Sequence, residues 1–183
     1  MRVWRSKRAP HEKTPIADHL PSVVVYLTDT LAHVAGTDGR TRSVTQQAGS
    51  VAYREAGRYG EENASDRPTE AIVVELKPGA PAAPPVTLDP VRLDPRYHTV
   101  PLENDRVRVL RTVLEPHVKS PLHEHPHYVV VYLTELHTTM ELADGRVVDN
   151  PRRPGDVAWR DAMKHATENV GPRTAVEIQV EVK

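Results

Sequence analysis

Two tandem all-β units, each a small antiparallel barrel or jelly roll, are what this 183-residue sequence predicts, and three observations carry the prediction. The first is a repeat without gaps: Val23-Val24-Val25-Tyr26-Leu27-Thr28 recurs as Val129-Val130-Val131-Tyr132-Leu133-Thr134, and the same offset gives about 29 identities over residues 1–77, where chance gives on the order of 5. The second is the local pattern, short β-branched or alternating runs punctuated by turn dipeptides. The third is the absence of any stretch with 3.6-residue periodicity over three turns, in a chain with 17 Pro.

In chain order, residues 1–77 form the first copy. Within it Val23 to Leu27 is apolar throughout and reads as a strand covered on both faces, and Asp38-Gly39 is a hairpin signal because Gly accepts positive φ. Residues 78–96, with Pro78, Pro81, Pro84, Pro85, Pro90 and Pro95, read as an extended, ordered or semi-rigid connector. The second copy spans 97–183, and its opening segment, Tyr97 to Arg106, has no counterpart in the first, which predicts one additional strand. Val129 to Leu133 and Asp144-Gly145 repeat the strand and the hairpin. The final run, Val176 to Lys183, alternates strictly. We assign Ile178, Val180 and Val182 to its inner face and Glu177, Gln179 and Glu181 to a wet outer face. In the first copy Ala71 and Val73 stand at the outward positions, so that face is expected to be covered by the connector, the other barrel or a second subunit.

Composition narrows function. The formal net charge is -1, with no basic stripe interleaved with aromatics, which argues against nucleic acid as a partner. No apolar run approaches the roughly 18 residues of a membrane span, so no membrane partner is expected and a cytoplasmic protein is. There is no Cys, so a metal site must use His, Asp or Glu. Neither a phosphate-binding Gly loop nor a nucleophile elbow is present.

The ten His residues hold the chemistry. His123-Glu124-His125 puts two imidazoles on one face of a strand, and His165 follows about 40 residues later, with Asn169 behind it and Pro154-Gly155-Asp156 ahead. On these residues the chain resembles the cupin superfamily, over nearly its whole length as two copies. His123 and His125 match the family's H-x-H, and His165 with Asn169 match its H-x-x-x-N. The resemblance implies β-barrels of six to eight strands with His ligands pointing into the cup. Two departures stand out: Val129 and Val130 occupy the place of the family's Glu ligand, and His117 replaces the motif's leading Gly. The interval from Gly155 to His165 is also longer than in the compact form of the motif.

The resemblance thus implies a mononuclear three-His site of His123, His125 and His165 for a divalent transition metal, with Fe(II) favoured over Zn, Mn, Ni or Co. It also implies a small anionic or enolisable substrate and, as one reaction, dioxygenase (oxidoreductase) chemistry. A non-catalytic small-ligand or metal-binding module is the alternative. His127, by continuing the parity of His123 and His125, and Tyr128 are the candidate acid–base residues. The first copy has Ala17, His19 and Tyr59 at the three ligand positions, so it is expected to be degenerate, a structural or substrate-walling barrel. His11 and His117 pair across copies although one copy alone retains ligands, which favours a structural role. Asn63 and Asn169 are expected at strand ends, Trp159 and Tyr53 as aromatic walls, Arg54 and Arg160 in surface or interbarrel ion pairs, and His137 on a solvated face. The expected partners are a small-molecule substrate and, as one option, a second copy in a homodimer.

Overall fold

The computed structural model describes residues 1–79, 83 and 85–183; of the connector prolines, Pro81 and Pro84 lie outside the described residues. The chain forms two compact units, Met1–Ala80 and Pro81–Lys183. The first contains β1 (Arg2–Arg8), β2 (Ala17–His19), β3 (Ser22–Tyr26), β4 (Thr30–Gly36), β5 (Thr41–Gln46), β6 (Val51–Arg54), β7 (Gly57–Asn63) and β8 (Thr69–Glu75). They pair antiparallel in two sheets, β1-β8-β3-β6 and β2-β7-β4-β5.

The second unit contains α1 (Pro90–Leu93), β9 (His98–Glu103), β10 (Val107–Leu114), β11 (His123–His125), β12 (Tyr128–Tyr132), β13 (Leu136–Leu142), β14 (Val147–Arg152), β15 (Val157–Arg160), β16 (Met163–Asn169) and β17 (Ala175–Val182). Its sheets, β15-β12-β17-β10-β9 and β11-β16-β13-β14, repeat the order of the first unit, with β9 added beside β10. This added strand is the one expected from Tyr97 to Arg106. The fold is therefore all-β, as the patterning requires.

The turns recur with the sequence. Gly39 and Gly145 have φ of 75° and 82°, and the Asp immediately before each Gly accepts from the backbone N–H of Arg40 or Arg146. Their Cβ positions are open, so conformation rather than space selects Gly. His11 and His117 share a left-handed backbone, φ 58° and 63°. Positive φ is uncommon for a residue with a side chain, and His is one of the types that enters it more readily. Buried Asn63 and Asn169 complete the same turn in each copy, their Nδ2 groups donating to Ala9 and Arg67 and to Leu114 and Arg173 carbonyls.

Residues 85–96 are ordered and held on the second unit. Asp89 caps α1 through the Val91 N–H and pairs with Arg108 at 3.0 Å, while Thr87 donates twice to Glu124. The short strand β11 is held by this segment.

One reading changes: the two faces of the final strand are assigned the wrong way round. Glu177, Gln179 and Glu181 line the inside of the second barrel. Gln179 accepts from Thr112, and Glu181 reaches His125. Likewise Ala71 and Val73 belong to the interior cluster of the first unit, with Val24 and Tyr26 and with Trp4 and Ala52 against it. Alternation separates two faces but does not say which is inside, and the rule that apolar means inward fails in a barrel with a polar interior. The opposite face, carrying Ile178 and Val180 in one unit and Ile72 and Val74 in the other, is buried as well.

Candidate metal centre

The centre is built by two antiparallel strands. In β11, His123 and His125 project to one side, and β16 places His165 directly across from His123. One ligand atom from each of the three lies within 4.8 Å of the others, and all three side chains are buried. Glu124, between them, points the other way and accepts from Thr87, which anchors the strand without entering the centre.

The outer hydrogen bonds orient the rings. His123 Nδ1 donates to the Pro121 carbonyl at 2.8 Å, since a carbonyl can only accept. His125 Nδ1 stands 2.7 Å from Glu181 Oε1, a carboxylate behind an imidazole. The inward atoms His125 Nε2 and His165 Nδ1 are buried without any hydrogen-bond partner. Unpartnered ring nitrogens in a dry site are costly unless something accepts their lone pairs, and a metal ion does so.

Electrostatics point the same way. Burial pushes the His123 and His165 pKa values down to about 4 and about 3, and that of His125 well below the ordinary range. The cluster is neutral at physiological pH, the state in which imidazole coordinates. Burial also raises the Glu177 and Glu181 carboxyls to about 7, against the opposing pull of the Gln179 hydrogen bond on the former and of Arg108 on the latter.

The candidate acid–base residues separate. His127 does not face the cup: its side chain is half exposed, its ring stacks on Trp159, and its Nδ1 accepts from the Ala162 N–H at 3.3 Å. The period-two parity of β11 ends at His125, and Pro126 and His127 form the link to β12, so parity does not carry across. Trp159, half exposed, is correspondingly no wall of the cup. Tyr128 is inside, its ring 4.8 Å from that of His125 and its hydroxyl toward Met163. Burial holds its phenol above the usual range, hence protonated. Arg160 is interior too, donating to Tyr132 Oη and to Asn150. His137 is exposed and pairs with Asp149.

Sequence reasoning missed His98. It lies on the added β9, is 2% exposed, and sits edge-on to His123 at 5.3 Å between ring centroids. Its Nδ1 donates to the Asp94 carbonyl at 3.2 Å, and burial lowers its pKa. The available signal was its position, a histidine in the one segment without a copy. A cavity of only about 10 Å³ lies beside His98 and His123, edged by Ser120, Thr138, Glu177 and Gln179. A surface cleft of about 640 Å³ on the same unit, around Arg152 and Arg173, includes none of the three clustered histidines.

Among its described residues the first unit has no such cluster. Ala17 offers no ligand, and His19 stacks on Tyr59 at 4.1 Å with its Nε2 on the Tyr59 carbonyl.

No family model and no curated protein matches the sequence. Solved structures do match. AerE from Microcystis aeruginosa superposes with a TM-score of 0.74 over 99% of this chain and 87% of that one, at 9% identity. Oxalate decarboxylase from Bacillus subtilis, described with Mn(II) centres, gives 0.67 over 98% of this chain and 68% of that one, at 14% identity. A cupin domain from Bordetella pertussis covers 58% of this chain and 99% of its own, with 24% identity and a TM-score of 0.44.

Proposed function

We propose, for a chain that carries the cupin fold twice, that its second barrel holds one divalent transition-metal ion on His123, His125 and His165. The reading adds that the barrel acts there on a small anionic or enolisable molecule in an oxygen-dependent reaction. The observation that carries the metal reading is the pair of buried, unpartnered nitrogens, His125 Nε2 and His165 Nδ1, in a cluster 4.8 Å across. When bound, the ion supplies Lewis-acid polarisation and, as Fe(II), an electron source for O2. Three neutral ligands leave its full charge to attract an anion. Glu181 orients His125, Tyr128 presents a neutral phenol beside it, and Glu177, with a pKa near 7, holds or yields a proton at the small cavity.

A second reading, metal holding without turnover, is favoured by the size of that cavity, about 10 Å³, which takes at most about one water.

Metal analysis of protein purified without a polyhistidine tag tests the site. About one ion per chain is expected, lost in His123→Ala and His165→Ala and retained in His19→Ala; equal metal in both units would sink the assignment. Oxygen uptake with a library of small carboxylates and 1,3-diketones separates the two readings, turnover supporting the first and its absence from metal-loaded protein the second.

A further inference from the structure

The two cups differ in what fills them. The first unit holds a cavity of about 380 Å³, partly open to solvent, against about 10 Å³ beside the metal cluster of the second. The cause is legible in the repeat: Tyr128, His123 and Met163 of the second copy are Ser22, Ala17 and Gly57 in the first. Three large side chains have become small ones around the same backbone, so the interior is open.

The walls of this cavity are not those of a mere void. An interior left empty is normally apolar, whereas here two guanidiniums are turned inward. Arg8 and Arg54 both pair with the buried Glu61, Arg8 at 2.5 Å, and Arg54 also donates to Tyr26 Oη at 3.1 Å. Around Glu61 two positive charges thus meet one negative, while the other buried carboxylate of the cavity, Glu75, is paired with Arg2 and Glu70 with Arg5 and Lys7. Arg8 Nε is buried without any hydrogen-bond partner. At the position of Arg8 the second copy has Leu114, a core residue, so the charge belongs to the open cup alone. Val24, Val73 and Trp4 form an apolar wall within the same cavity.

We propose that the cup of the first unit is a binding site for a small organic monocarboxylate, its carboxylate taken by Arg8 and Arg54 and its apolar body lying against Val24, Val73 and Trp4. Guanidinium pairs select carboxylates by geometry as well as charge, and the excess cation over Glu61 is the group such a ligand would neutralise. The site needs no metal and stands whether or not the second barrel holds one.

Isothermal titration of the full chain, with and without EDTA, tests this with benzoate and hexanoate and, as controls of matched shape, benzylamine and benzamide. One carboxylate per chain is expected, insensitive to EDTA, with the controls at least tenfold weaker. Ser22→Tyr restores the bulk of the second copy and Arg8→Leu its charge, so each is expected to weaken binding at least tenfold. The melting temperature reports that each variant still folds, and a variant that does not fold is replaced in the comparison by the other. His165→Ala, which would empty the metal centre, is expected to leave binding unchanged. No carboxylate binding, binding that survives both Ser22→Tyr and Arg8→Leu, equal binding of benzylamine, or loss in EDTA or in His165→Ala would each overturn the proposal. The last two would place the anion on the metal centre instead.

Discussion

Lowering the pH from 7 to 5 discriminates a preformed dry centre from three ordinary histidines. If the ligands kept a pKa near 6.5, each would cost RT ln(1 + 10^1.5), about 2 kcal/mol, to deprotonate at pH 5. Three together would weaken metal binding about 10^4-fold relative to pH 7. In the structure, burial holds His123 at about 4 and His165 at about 3, with His125 also far down. These groups already lack protons at pH 5, so they contribute almost nothing to the pH dependence. Two nearby carboxyls do titrate, Glu177 and Glu181, each with a pKa of about 7, and of these Glu181 is the one hydrogen-bonded to a clustered histidine, His125. Where coordination by His125 keeps this carboxyl ionised, its protonation below pH 7 opposes binding, by at most about 50-fold at pH 5. The expected slope of log affinity against pH is therefore at most about 1 for the native chain and near 0 for Glu181→Gln. Competition against a chelator of known protonation constants, from pH 7 to 5, measures it. A slope approaching 3, or one that Glu181→Gln leaves unaltered, would refute the reasoning.

Other expectations follow from where side chains point. Glu181→Gln at pH 7 should lower metal affinity about 10–100-fold without unfolding the chain, because it loosens the orientation of His125; chelator competition reads this. Val129→Glu should cost about 3 kcal/mol or more in urea, since Val129 pairs with Val180 on an apolar buried face, whereas Val130→Glu, across from Gln179 inside the barrel, should cost less. Val73→Asp should destabilise by a few kcal/mol with unchanged sedimentation, because the residue lines the first cup; a change in oligomeric state would contradict that placement. His127→Ala, on the exposed stack with Trp159, should shift stability by no more than about 0.5 kcal/mol and leave metal content intact.

Much of the fold was legible because the chain states it twice. The repeat yields two units with one sheet order, and Tyr97 to Arg106, lacking a copy, yields the added β9. His123, His125 and His165 were readable as neighbours because H-x-H in a strand fixes two rings on one face. What parity does not encode is the inside of a barrel. Glu177 and Glu181 were placed in solvent because charge ordinarily faces water, and the interior partner of Glu181, His125, comes from a strand far away in sequence. His127 illustrates the opposite error, a period carried past the point where the strand ends. A comparison within the chain would have helped: the carboxylate of Glu181 is retained as Glu75, also buried, which is unusual for a wet strand face.

The barrel's strand parity also records how the two copies drifted apart. On β3 and β8, residues Val23, Val25, Ile72 and Val74 are identical to Val129, Val131, Ile178 and Val180 of β12 and β17, and all face away from the cup. Between them, cup-facing Ser22, Ala71 and Val73 have diverged to Tyr128, Glu177 and Gln179. Cup-facing Val24, Tyr26 and Glu75 are retained as Val130, Tyr132 and Glu181, so size and charge have been exchanged at only part of the inward set, while these four outward positions are unchanged. After duplication, then, new interiors were accessible by steps that left the scaffold untouched. Randomised libraries confined to the inward parity should accordingly yield far more folded members than libraries of equal size on the outward one.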